Sequence, residues 1–207
     1  MRLPCRRAQL DSCGFSGVRR KRGRGVPEGY LMEKLKIGGL KLSSTLCQFE
    51  LSGYDPPQKI LSTVSKSFSA EKINIEFLTY NSSNSDRCHI SLCVSEESFS
   101  AAATLFQKNE WLPPNWAVIS REKVGMATIF PSQSALAVLG IVLGAWGENS
   151  LPVYGVATSL SAISVLTDFR AMDKAVEVIQ ASFRLPDNHA PLKPEIHYYQ
   201  SPVNKKD

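Results

Sequence analysis

Between Ser161 and Phe183 the hydrophobic pattern changes period. Ile163 and Val165 alternate with Ala162 and Ser164, and then Met172, Ala175, Val176, Ile179 and Phe183 recur at helical spacing. A strand running into an amphipathic helix is predicted, with Asp168 placed to accept from free backbone N–H groups at the helix start. The pattern has an earlier copy. About 73 positions upstream, Ile90, Leu92, Phe99, Ala102, Ala103 and Phe106 take the corresponding places, and Ser95 stands where Asp168 does.

A second correspondence, offset by about 78, maps Phe49, Leu51, Ile60, Leu61, Val64 and Phe68 onto Ala127, Ile129, Val138, Leu139, Val142 and Trp146, apolar in both copies. The offset falls to 73 across the polar turn Asn81 to Arg87, where an insertion belongs, in a surface loop. Each copy then reads in order. The first has a strand from Leu46 to Leu51, a turn at Gly53 to Pro57, a helix carrying Ile60, Leu61, Val64 and Phe68, and a strand with Ile73, Ile75 and Phe77 on one face. The strand CHISLCV and a helix from Ser98 to Lys108 follow, Ala117 to Ile119 supplies another strand, and the order restarts at Val124. Upstream, Leu35 and Ile37 alternate with lysines before Gly38 and Gly39 interrupt the run. The expected class is α+β, with two ferredoxin-like βαββαβ units, each an antiparallel sheet with helices on one face.

Charge changes the picture only at the N-terminus. Of the 24 basic and 19 acidic side chains, eight and two fall in residues 1–31, leaving 16 against 17 in the remainder. Nucleic-acid binding would therefore rest on the tail alone, and no exposed strand shows paired aromatics with flanking cations, so it is disfavoured. The tail lacks hydrophobic periodicity and reads either as a disordered basic segment, with a transit or import role open to it, or as sequence upstream of a true start at Met32. The run Ala135 to Trp146 is strongly apolar but shorter than the ~20 residues that span a bilayer, so no membrane is implied, and its Gly140 and Gly144 read as permitting close helix packing.

Catalytic and metal chemistry find little support. His89, His189 and His197 are scattered, and neither a nucleophile elbow nor a phosphate loop occurs. Cys88 and His89 would face opposite sides of a strand, and His89 and Cys93 lie about 13 Å apart along it, too far to chelate. The five cysteines suit reduced thiols in a cytoplasmic protein.

Ile73-Asn74-Ile75-Glu76-Phe77-Leu78 is similar to an I-N-I-x-M-I strand, and the segments Thr158 to Val165 and Asp173 to Val176 resemble T-S-x-x-x-I-S-V and D-K-A-V signatures. On these residues, from Leu35 to Pro186, the chain resembles the tandem ACT domains that regulate aspartate kinases, here without a kinase domain. The resemblance implies that the first unit, 43–116, is inserted into the second, 117–186, so that a strand within 32–42 completes the later sheet and a Pro-rich tail occupies 187–207. It also implies a non-catalytic regulatory protein that binds a small amino-acid-like effector, forms a homodimer through its ACT units, acts on a partner enzyme and needs no cofactor. The implied ligand contacts are Asp55, Pro57, Gln58, Lys59 and Ile60 at the first strand-to-helix turn, with Asn74 and Ile75 on the next strand. Physically, free N–H groups at a helix start suit a carboxylate, and sheet-edge carbonyls suit an ammonium. Gln58 departs from the family's glycine, and the second unit departs further, with Ser132-Gln133-Ser134 at the turn and Pro152 at the Asn position. An ACT-type dimerisation or partner-docking scaffold that has lost ligand binding is the alternative.

Overall fold

The chain forms β1 (Leu35–Leu42), β2 (Leu46–Gly53), α1 (Pro57–Ala70), β3 (Phe77–Ser82), β4 (Cys88–Ser95), α2 (Phe99–Lys108), β5 (Ala117–Pro131), α3 (Ala135–Glu148), β6 (Gly155–Thr158), β7 (Ile163–Asp168), α4 (Met172–Ser182) and β8 (Phe183–Arg184). The computed structural model describes residues 34–54, 57–82, 87–108, 112–132 and 134–186. The basic tail, the C-terminal segment with His189 and His197, Asp55 and Gln133 lie outside the described residues, as do the side chains of Pro57 and Gln58.

All eight strands of the described residues join one sheet, with the path β3-β4-β2-β5-β1-β8, β7 added to β5 and β6 to β7. Pairing is antiparallel everywhere except between β1 and β8. The α+β class and the ferredoxin-like arrangement are thus observed, but the two half-sheets share a strand. β5 was expected as two pieces, near Ala117 to Ile119 and from Val124; it is one strand of 15 residues. Its first part pairs with β2, from Ala117 opposite Ser52 to Val124 opposite Leu46. Its second part pairs with β7 and β1, Ala127 facing Val165 and Leu42. Ser120 to Lys123 are exposed, so no alternation marks the middle of the strand. One extra residue is absorbed there, with Lys123 at φ 57, as in a β-bulge.

Two further boundaries move. β1 runs through Gly38 and Gly39 instead of ending before them, with a one-residue register shift between Ile37 and Gly39. β3 begins at Phe77, so Ile73 and Ile75 precede the strand. Their burial pattern comes from the end of α1. Lys72 takes a left-handed conformation (φ 56), its N–H reaches the Ser69 carbonyl, and the Ile73 N–H reaches that of Phe68 at 2.8 Å. This double bond closes the helix and folds Ile73 back onto Phe68. α3 ends the same way, through Ser150 (φ 53) and the Leu151 N–H to the Trp146 carbonyl. Lys72 and Ser150, like Phe68 and Trp146, are 78 residues apart. The sequence repeat is therefore repeated down to its helix caps.

Each half buries its own cluster under a helix pair. Phe49, Leu51, Ile60, Val64, Phe68, Ile90, Leu92 and Phe106 form the first; Ala127, Ile129, Val138, Val142, Trp146, Ile163, Val165 and Ile179 form the second. Leu46, Phe77, Cys93, Val124 and Leu166 make a third cluster that joins the halves. The indole of Trp116 packs directly over Gly53, where any Cβ would overlap the ring. Asp168 Oδ1 accepts from the Arg170 N–H at 2.8 Å, as expected of a cap. Ser95 does not follow it: its hydroxyl bonds the Ser98 hydroxyl at 3.0 Å and no backbone N–H.

Candidate functional site

The ligand contacts implied by the resemblance lie at the first strand-to-helix turn and on the stretch after α1, since the family places effectors at such turns and at interfaces between paired units. Lys59 is exposed in the first turn of α1, and Ile60 beside it is a core residue, 2% exposed. Asn74 is exposed, and its Nδ2 donates to Glu76 Oε1 at 2.7 Å. Ile75 is half-buried against the first cluster. Topology separates these residues. β3 runs parallel to β2 because both are antiparallel to β4, and α1 runs back between them. Lys59 and Ile60 follow the Gly53 end of β2, whereas Asn74 and Ile75 precede Phe77, which lies across Cys93 from Gln48. The two groups stand apart by roughly the length of β2 from Gln48 to Gly53, about 17 Å.

At the equivalent turn of the second half, Ser134 caps α3 by accepting from the Ala137 N–H at 3.4 Å, and the Ser132 hydroxyl donates to the Lys36 carbonyl at 2.6 Å. The Pro152 carbonyl accepts from the fully buried Thr167 hydroxyl at 2.7 Å. These hydroxyls are committed to structure within the chain.

The pattern did not reveal a cleft of about 740 Å³ at the junction of β1 and β2. Met126, Thr128, Phe130 and Ser164 line it, together with Lys41 and the carboxylates Glu76, Glu96 and Glu97. Ser43 closes one wall by bonding the backbone of Met126 through both its N–H and its hydroxyl, each at 2.9 Å. No periodicity signals such a cleft, because its lining comes from turns and strand faces distant in sequence. Nearby, the fully buried Gln48 ties the halves together: its Nε2 donates to Ser91 Oγ at 2.9 Å and to the Tyr154 carbonyl at 3.3 Å. The Arg121 guanidinium lies 4.0 Å from the centre of the Tyr154 ring.

Cys88 is buried and His89 exposed, on opposite faces of β4. Among the described residues no group of three His, Cys, Asp or Glu side chains could hold a metal ion. Burial pushes the Cys93 thiol up to about 12, reinforced by its neighbour Cys47. Cys47 is also raised, first by burial and then by the charge of Glu122. A thiol that binds its proton more tightly folded than unfolded stabilises the fold below its ordinary value of 9.0, and that contribution is lost as pH climbs from there towards about 12. The urea midpoint should therefore hold level below about pH 8.5 and decline above it. Cys93→Ala should flatten the decline; an equally steep fall in that variant would assign it to other groups.

No family model and no curated protein matches the sequence. The fold has clear relatives. The ligand-free regulatory subunit of aspartate kinase from Thermus thermophilus superposes with a TM-score of 0.63, covering 72% of this chain and 99% of that one at 18% identity. The regulatory subunit of aspartate kinase from Thermus flavus gives 0.63 over the same shares at 17% identity. Aspartate kinase from Synechocystis gives 0.63 at 15% identity, covering 76% of this chain and 28% of that one. The chain has the tandem ACT fold of aspartate kinase regulatory regions.

Proposed function

We propose that this protein is a non-catalytic regulatory module that binds a small amino-acid-like effector between ACT units and passes the event to a partner enzyme in the cytoplasm. The observation that carries the reading is the superposition on the Thermus regulatory subunits along nearly their whole length. In this reading residues 43–116 are the first unit, and 117–186, completed by the strand within 32–42, the second.

The separation of the two half-sites gives the reading a mechanism. β3 is the outer strand at one end of the sheet. A second copy laid antiparallel along it would set its own helix start, with Asp55, Pro57, Gln58 and Lys59, beside this chain's Asn74 and Ile75. Helix-start N–H groups would then hold the effector's carboxylate, and backbone carbonyls near Asn74 its ammonium. Binding would favour the paired state and change its geometry, because a ligand shifts an equilibrium only through differential affinity.

A thermal-shift screen of amino acids tests this. A ligand at 100 times its Kd should add about 2.7 kcal/mol of stability. Asn74→Ala should abolish the shift and leave the unliganded Tm unchanged, since Asn74 is exposed. A flat screen at millimolar concentrations would favour the scaffold reading, in which the pair of units serves assembly alone. One observation supports that second reading: the apolar outer face of α3.

A further inference from the structure

α3 is apolar on its outer side as well as its inner one. Val138, Val142 and Trp146 are buried, yet Leu136 is 77% exposed, Ile141 40% and Leu143 38%. No charged side chain occurs from Ala135 to Gly147. Among the described residues the glycines expected to permit close helix packing do not do so: a Cβ at Gly140, Gly144 or Gly147 would meet nothing within 4 Å. Inner packing thus gives no reason for their lack of a side chain. A surface of this kind normally marks an interaction site.

We infer that the outer face of α3 is a homotypic interface, packed in an isologous two-fold against α3 of a second copy. Charge selects the partner. The outward faces of the other helices carry Lys59 and Lys66 on α1, Lys108 on α2, and Asp173 and Lys174 on α4. Burying α3 against any of them would strip water from a charge with no counter-charge to meet it. A second α3 brings none between Ala135 and Gly147, and its single charged residue, the exposed Glu148, is the last of the helix. It brings leucine and isoleucine knobs to the glycine gaps and gaps to the knobs, and a two-fold places like surfaces together.

Area sets the extent of the contact. Fourteen residues make α3 roughly 21 Å long and its face about 10 Å wide, or ~200 Å², against the ~800 Å² per partner of a stable interface. The contact must therefore spread beyond the helix. β6 is the outer strand on this side of the sheet, and α3 leads into it. Because β6 runs parallel to β5, Leu160, 99% exposed, lies at the end where α3 begins, and Val153, 44% exposed, at the end where it finishes. The apolar strip is thus carried along the β6 edge. This pairing needs no effector and leaves β3 free, so it stands apart from the effector reading.

The test uses the full chain with Cys5→Ser and Cys13→Ser, because the other cysteines are buried. Adding Gly144→Cys and oxidising mildly without amino acids should yield a disulfide-linked dimer as the main product. Ser65→Cys, exposed on α1, should give less than about a tenth of that. Separately, Leu136→Lys with Ile141→Lys should weaken self-association about 100-fold by sedimentation equilibrium, with the circular dichroism of the folded chain unchanged because both sites are exposed. Equal cross-linking at both positions, a wild-type chain that sediments as a monomer, or a double variant with wild-type mass would each overturn the inference. So would a monomer that binds phosphatidylcholine vesicles through this face, which would make the occupant a lipid surface. A monomeric Gly144→Cys variant whose introduced thiol becomes reactive only after removal of 187–207 would assign the face to the chain's own tail and overturn it too.

Discussion

Starting the chain after Leu42, and so removing β1, is expected to unfold the second half while the first keeps much of its protection. β1 sits inside the sheet, paired to β5 on one side and to β8 on the other. It contributes Ile37 and Leu40 to the second cluster, at 3% and 8% exposure. Full burial of each such side chain is worth ~1.5–3 kcal/mol, and the ladder bonds to β5 are lost with them. Against a net stability of about 5–15 kcal/mol, the second half has little left. The first cluster contains no residue of β1. Amide exchange reads the difference: β7 and α4 should exchange near unfolded rates and β4 should stay slow. Unchanged protection in β7 and α4 would show that β1 is dispensable to this sheet.

Trp146→Ala is expected to cost about 3–5 kcal/mol in urea unfolding, the range for truncating a buried tryptophan. The ring is 1% exposed at the centre of the second cluster, and the Trp146 carbonyl also receives the N–H bond that ends α3. That bond is to backbone and survives the substitution, so the loss isolates the side chain's packing. Trp146→Phe supplies the contrast. The indole N–H has no hydrogen-bond partner among the described residues, so phenylalanine removes an unpaired buried donor while losing some volume, and should cost less than about 1.5 kcal/mol. Equal losses for the two variants would mean that the N–H is bonded in solution.

Periodicity reads best where one face of an element is buried and the other is wet. α1 and α4 are of that kind, and Ile60, Val64, Phe68, Ala175 and Ile179 could be assigned to the core from spacing alone. It fails where neither face is buried. Ser120 to Lys123 lie in mid-strand with both faces exposed, so β5 read as two strands with a break. It also misleads where burial has a different cause, as at Ile73, which is inside because a helix cap folds it there. The candidate ligand residues were recognisable by resemblance, but Lys59 and Asn74 share no short-range pattern that would reveal their separation at opposite ends of a half-sheet. Only strand pairing fixes that. α3 was legible as a helix, whereas the exposure of its glycines depends on what else the fold brings near them, and nothing among the described residues comes close.

β5 bears on any motion the molecule makes. Since both halves bond to a single backbone, sliding one past the other would break a ladder of hydrogen bonds along its length. Twisting about that strand breaks none. Any tilt of β2 would therefore be passed to β1 and β7 through the shared strand, as a torsion bar turns both of its arms, by way of the bulge at Lys123 that lies between the two paired stretches.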